Sequence, residues 1–192
     1  MKIVEHPHPT LRHKSKPIRR VDAALRSVVA EMFQLMYEAE GIGLAANQVD
    51  LPYRLFIANL RDRGENQELV FINPVINGQK GSGEAEEGCL SLPGVYAPVR
   101  RPEKIAVTAY NLEGQEVRME DVGDLLARLI QHETDHLDGV LFIDRLSEAA
   151  ALEVKDAVSE LEEKFDRRRA ASEIPDDQQI AERLAEIEAL YC

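Results

Sequence analysis

Cysteine is scarce in this chain: Cys89 and Cys192 are the two in 192 residues. One possible pair cannot supply the disulfide framework of a small secreted domain, and a bond between mid-chain and the last residue is not expected in a reducing compartment. Long apolar runs are missing as well. No stretch approaches the ~20 residues that a membrane helix needs, and Met1-Lys2-Ile3-Val4-Glu5-His6-Pro7 does not resemble a secretion signal. A cytoplasmic protein with no membrane partner is therefore expected. Positive charge is in deficit, with 23 Lys and Arg against 35 Asp and Glu for a formal charge of −12. Such a surface repels nucleic acid in general, so no specific nucleic-acid partner is expected. Histidine is sparse too. Three of the five (His6, His8, His13) lie near the N-terminus, and the other two stand four residues apart.

Hydrophobic residues at 44% and charged residues at 30% are ordinary for a globular chain. The length suits one domain with room for an appendage. The acidic excess is uneven: residues 147–192 hold 13 acidic and 6 basic side chains.

The most informative stretch is Gln131-His132-Glu133-Thr134-Asp135-His136-Leu137, within an apolar run of helical spacing that begins at Asp124 and that Gly139 ends. On a helix, residues four apart differ by about 40° around the axis. His132 and His136 then share a face and can reach one metal ion, with Glu133 on the flank as a proton acceptor. Two partly buried, hydrogen-bonded core histidines would leave the same spacing.

Elsewhere, the proline-bearing first 20 residues read as an extended lead-in, and Arg12, Lys14, Lys16, Arg19 and Arg20 as a solvated basic surface. Asp22 caps a helix to about Glu40 with Leu25, Val28, Val29, Met32, Leu35 and Met36 as its apolar face, and Gly41 stops it. Gly41-Ile42-Gly43-Leu44-Ala45-Ala46-Asn47-Gln48-Val49 lacks phosphate-loop spacing. Its small residues admit another backbone closely, while Gln48 alone reads as a surface glutamine in a tight turn. Strands are expected at Arg54 to Leu60 and Leu69 to Asn73, parted by Arg61 to Asn66, and as a hairpin at Lys104 to Tyr110 and Gln115 to Met119. Gly81 to Gly94, which carries Cys89, reads as a long functional loop. Ser147 caps a helix to about Arg169 with the stripe Val154, Val158, Leu161 and Phe165. After a break at Pro175, Ile180, Leu184, Ile187 and Tyr191 repeat the spacing, which suits helix packing within the chain or across a homodimer.

Three stretches in order, Gly41-Ile42-Gly43-Leu44-Ala45-Ala46-Asn47-Gln48, Glu87-Gly88-Cys89-Leu90-Ser91 and Gln131-His132-Glu133-Thr134-Asp135-His136-Leu137, resemble the signature motifs of peptide deformylase. The resemblance implies an α+β fold, with antiparallel sheets around a central metal-binding helix, to which the spacing read above adds an N-terminal helix and a C-terminal helical extension. It covers about residues 1–147 as the catalytic domain and leaves 148–192 as an acidic extension. By resemblance Cys89, His132 and His136 hold one divalent ion, Fe2+ with Zn2+, Ni2+ or Co2+ as substitutes. Such a donor set suits a borderline-soft ion.

The implied reaction removes the formyl group from formylmethionyl nascent peptides. Glu133 would move the proton, and the Gln48 amide and Leu90 N–H would meet the oxyanion. Ile42, Gly43 and Gly88 would receive the peptide as an added strand, while Ile42, Leu125 and Leu129 would line a methionine pocket. Glu87 and Arg101 match a pair that braces the cysteine segment. Two positions depart from the family's pattern. Arg128 stands where an apolar residue is usual at the pocket mouth, and would narrow the pocket, favour an acidic or polar residue, or turn to solvent beside Asp124, Gln131 and Asp135. Tyr96 stands where some relatives carry an arginine. Transient ribosome proximity belongs to the resemblance, but an acidic tail is poorly suited to docking there. A zinc endopeptidase using Asp144, Glu148 or Glu153 as third ligand, and a purely structural metal site, are the alternative readings.

Overall fold

The computed structural model describes residues 1–60 and 67–192, and the connection expected at Arg61 to Asn66 lies outside them. The fold is α+β. Strands β1 (Gly43–Ala45), β2 (Leu55–Ala58), β3 (Leu69–Lys80), β4 (Gly83–Cys89), β5 (Leu92–Arg101), β6 (Lys104–Tyr110) and β7 (Glu116–Val122) divide into two antiparallel sheets. One has the order β1-β2-β3-β6-β7, and β4 pairs β5 in the other. Helix α1 (Ala23–Glu38) precedes the strands; α2 (Asp124–Leu137), α3 (Glu148–Ala170) and α4 (Asp177–Tyr191) follow them. Helix α2 is central. Its Ala127, Ile130 and Leu137 pack with Phe56, Phe71, Ile105 and Val107 of the larger sheet.

The cap of α1 is as expected, with Leu25 N donating to Asp22 Oδ1 at 2.9 Å. Its stop is not. Glu40, at φ 57°, takes the left-handed position assigned to Gly41. Gly41 instead allows a close approach: a Cβ there would lie 2.7 Å from Leu90 Cδ1, and the leucine side chain would have to shift.

Gly81 to Gly94 is not a loop. It forms most of the β4–β5 hairpin, closed by the two-residue turn Leu90-Ser91. The β5 alternation explains this: Val95, Ala97, Val99 and Arg101 are buried while Tyr96 and Arg100 face out. Cross-strand cover replaces the missing Cβ of Gly88, where the Tyr96 ring stands. Strand β3 also runs past Asn73 to Lys80, through irregularities that keep it paired with β6. Asn73, at φ 51°, clamps the Ile18 backbone with its amide, accepting from Ile18 N and donating to Ile18 O at 2.8 Å each.

The N-terminal arm crosses all three motif stretches. Val4 N donates to Gln48 O, His6 N to Ser91 O and Ser15 N to Leu137 O, at 2.8, 2.8 and 2.9 Å. Gly139, at φ 74°, leaves room for it, since a Cβ would meet Arg12 O at 2.5 Å. The C-terminal helices cover this arm. Val154, Val158 and Leu161 pack with Val4, Leu92 and Val95, whereas Phe165 joins Ile174, Ile180 and Leu184. Ile187 and Tyr191 join the core beneath α1. Both stripes thus pack within the chain, with Leu161, Phe165, Ile180 and Leu184 buried and the other four partly so. The basic cluster stays largely exposed, as read, yet makes contacts here: Lys16 lies 2.7 Å from Glu188, Arg12 pairs with Asp144, and Arg20 stands over the Tyr191 ring, while His13 also lies 2.7 Å from Glu188. Cys89 and Cys192 are both free, and Cys192 is half-buried rather than exposed.

Candidate metal centre

Three potential ligand atoms converge from two separate elements. Among the described residues, Cys89, His132 and His136 place theirs within 4.8 Å of one another, and no other group of three His, Cys, Asp or Glu is this close. The sulfur of Cys89 lies 3.2 Å from His136 Nε2. The two rings, one helical turn apart on α2, have centroids 5.0 Å apart. Asp144, a third-ligand candidate in the endopeptidase reading, is occupied by Arg12 and the Leu141 N–H. It lies outside the cluster, as do Glu148 and Glu153.

The surroundings suit a metal centre. His132 Nδ1 is 2.9 Å from Glu87 Oε2, the carboxylate–histidine pairing that fixes the ring of a ligand histidine. Burial opposes charge on His132, but Cys89 and Glu87 outweigh it and raise its pKa to about 10. Burial and the neighbouring His132 hold His136 well below the ordinary range, which keeps its imidazole neutral. Glu133 is buried, and its Oε2 has no hydrogen-bond partner among the described residues. Burial pushes its pKa up to about 7 against the pull of His132 and Arg101. A soft sulfur, two imidazoles and an orphaned carboxylate oxygen beside them fit a divalent transition ion with a proton acceptor next to it.

Gln48 is buried, which overturns its reading as a surface residue. Its Oε1 accepts from Ala45 N at 2.8 Å, so Nε2 is turned toward the site, 3.4 Å from Cys89 Sγ and 3.2 Å from Ser91 Oγ. Leu90 stands in the hairpin turn next to the sulfur. A cavity of about 490 Å³ opens beside these groups. Ile42, Gly43 and Gly88 line one part of it, and Leu125, Arg128, Leu129, His132 and Glu133 another. Leu125 is half exposed at the rim. Tyr96 is 62% exposed and also borders the opening. At the sheet edge, β1 presents backbone groups beside the cavity, where an extended chain can pair.

The hub of the site is Glu87. Arg101 donates Nε to its Oε1 at 2.6 Å and Nη2 to its Oε2 at 2.9 Å. Arg101 Nη1 also donates to Asp135 Oδ2 at 2.7 Å, and Arg145 grips both oxygens of that carboxylate. Burial would raise the Glu87 pKa, yet His132 and Arg101 hold it down to about 2. The motif reading assigned nothing to Asp135, Arg145 or Ser91. The one available signal was Asp135, the acid directly before the second histidine on α2, since a buried carboxylate there needs a cation.

Removing the Arg101 side chain strands two buried carboxylates. Arg101→Ala is expected to cost about 3 kcal/mol, the low end for breaking a buried ion pair, because Arg128 and Arg145 still serve the acids. Denaturant unfolding with parallel metal titration measures it. Unchanged stability, metal affinity and turnover would refute the bracing. Gly43→Ala is a gentler probe, since its Cβ would lie 2.5 Å from Glu133 Oε1. The flexible carboxylate can yield, so the melting temperature should move by only a few degrees while turnover falls at least about tenfold through misplacement. Full turnover would show that the Glu133 position is not critical.

The sequence profile of the polypeptide deformylase family matches residues 1–151. The peptide deformylase of Rhodopirellula baltica is 44% identical over all 192 residues, covering 95% of that protein. The peptide deformylase of Neisseria gonorrhoeae is 46% identical over 149 residues, which are 77% of this chain and 87% of that protein. Among solved structures, Arabidopsis thaliana peptide deformylase 1B in complex with an inhibitor superposes with a TM-score of 0.84 at 38% identity, covering 92% of this chain and 97% of that one. By motif, fold and overall likeness, the chain belongs to the polypeptide deformylase family.

Proposed function

We propose that Cys89, His132 and His136 hold the ion, and that Glu133, Gln48 and Leu90 carry out the reaction that family membership assigns to this chain. That reaction is removal of the N-formyl group from the N-terminal formylmethionine of new polypeptides, with release of formate. The observation that carries the reading is the convergence of sulfur and two imidazoles beside a buried carboxylate whose Oε2 has no hydrogen-bond partner among the described residues.

Held by Cys89, His132 and His136, a divalent ion would supply Lewis acidity, making water easier to deprotonate near neutral pH. Glu133, near neutral pKa in the metal-free protein, accepts a proton at Oε2 and returns it to the departing amine. The Gln48 amide nitrogen and the Leu90 N–H are the donors for the oxyanion, each worth about 3 kcal/mol in such a role. The peptide lies as an added strand along Ile42, Gly43 and Gly88, which gives affinity through the backbone with little reading of sequence. Ile42, Leu125, Leu129 and the Arg128 stem form the wall for the methionine side chain. The guanidinium of Arg128 turns away from it, onto Glu87 and two backbone carbonyls.

Fe2+ is the proposed native ion, with Zn2+, Ni2+ or Co2+ as replacements for the same donors. Residues 1–147 form the catalytic unit and 148–192 an extension covering its arm. A dimer through α3 and α4 would have to use their outer faces, because the apolar stripes pack within the chain. Ribosome proximity would need a surface other than this acidic tail. A cytoplasmic location accords with the described residues, in which no helix is long and apolar enough to cross a membrane.

The deciding experiment is formate release from short formyl-Met peptides by protein purified anaerobically with Fe2+. Release that needs the ion and stops on its removal supports the reading; metal-loaded protein that leaves the formyl group intact overturns it.

A further inference from the structure

The ligand atoms come from two units that share no backbone hydrogen bonds among the described residues, the β4–β5 hairpin with Cys89 and helix α2 with both histidines. The N-terminal arm is bonded to the end of each, at Ser91 and Leu137, and the direct polar links between them are made by side chains. Arg101 runs from the hairpin to Asp135 on α2. Arg128 runs the other way. One turn before His132, and with its side chain only 16% exposed, it sends Nη1 to Glu87 Oε1 at 2.7 Å and Val99 O at 2.9 Å, and Nη2 to Gly83 O at 3.2 Å. It thus holds both hairpin strands at once. Glu87 collects four donors: Arg101 Nε and Arg128 Nη1 on Oε1, and Arg101 Nη2 and His132 Nδ1 on Oε2. That number fills the acceptor capacity of a carboxylate.

We propose that Arg128 is a positioning residue of the metal centre, cross-linking the cysteine-bearing hairpin to the histidine-bearing helix and fixing the carboxylate that orients His132. Its charge is spent on Glu87 and two carbonyls, so its contribution to the cavity is an apolar stem. A planar fork suits this task, since an ammonium cannot reach Glu87, Val99 and Gly83 together.

The inference rests on the deformylase reading only where turnover is measured, so its test begins with binding. Co2+ affinity, followed by the visible absorption of the bound ion under chelator competition, is compared for wild type, Arg128→Met and Arg128→Lys. Loss of a partner behind a metal ligand typically costs 10–100-fold in metal affinity. Arg128→Met should weaken Co2+ binding about that much and shift the absorption bands, and Arg128→Lys should fall between it and wild type. At saturating metal, Arg128→Met should lower kcat for formyl-Met peptides with KM nearly unchanged, since the stem remains in the cavity.

Wild-type Co2+ affinity and absorption in Arg128→Met, with only KM altered, would make Arg128 a substrate contact and overturn the proposal. Should Arg128→Met fail to fold, an Arg128→Lys affinity equal to wild type overturns it alone. Should wild type bind Co2+ without releasing formate, the deformylase reading fails while the binding comparison still decides the role of Arg128.

Discussion

Replacing Glu133 by alanine is expected to lower formate release by about 10²- to 10⁴-fold, the range of a positioned general acid–base group, while the protein still binds its ion. The side chain borders the cavity next to His132, and its outer oxygen has no other partner among the described residues. No other unpartnered carboxylate oxygen is buried among the described residues, so a substitute base is not at hand. Formate assay and metal analysis on the same sample separate lost chemistry from lost metal. Activity within tenfold of wild type would remove Glu133 from the reaction.

The same residue sets a pH dependence in the metal-free protein. Its folded pKa is raised from 4.5 to about 7 by burial, so folding favours the protonated form. The associated stability is complete below about 4.5 and disappears as pH rises through about 7. Glu133→Gln carries no ionisable group there. Its metal-free stability should fall less than that of wild type across this interval, which unfolding at pH 4.5, 6 and 7.5 measures. Parallel curves would show that Glu133 stays ionised when buried.

Cys89→Ser is expected to weaken metal binding by more than the roughly 10–100-fold that accompanies loss of a supporting partner, because a ligand is removed and a hydroxyl is a poor soft donor. Three neighbours lose their contact at once. Ser91 N and Gln48 Nε2 each point at the sulfur from 3.4 Å, and His136 Nε2 lies 3.2 Å away. Chelator competition with Co2+ or Zn2+ reads the loss. Unchanged affinity would return the cluster to the endopeptidase reading, in which the third ligand is a downstream acid. The engagement of Asp144 with Arg12 and Leu141 argues against that result.

The helix with the two histidines was legible in the sequence because its spacing carries both amphipathic and chemical information. Helix α1 was legible down to its cap, since Asp22 can meet Leu25 N through a local bond. The β4–β5 hairpin was hidden. Glycines at 81, 83, 88 and 94 and prolines at 93 and 98 look like loop composition, yet Val95, Ala97 and Val99 alternate as a strand should. Cys89 stands 43 residues before His132, so its place beside the histidines followed from family resemblance and not from spacing. Arg128 shows the limit most clearly. The sequence left three outcomes open for it, pocket, polar specificity or solvent, while its charged partner, Glu87, is 41 residues away. Local pattern tells which face a residue takes, but not which distant strand arrives there.

The arm preceding α1 contains no residue that motif reading would single out, yet it is stitched to the ends of three remote segments. Between two such stitches, at Val4 and His6, lies the single residue Glu5, and one residue of extended chain spans about 3.3 Å. Swapping an outward side chain there leaves the stitches in place, whereas adding or deleting one residue pulls a stitch beyond hydrogen-bond reach. The arm behaves as a measured strap whose length, more than its lettering, is under constraint. A single glycine inserted at that point should therefore destabilise the metal-free protein more than Lys2→Ala does, and equal melting temperatures for the two would show the strap to be slack.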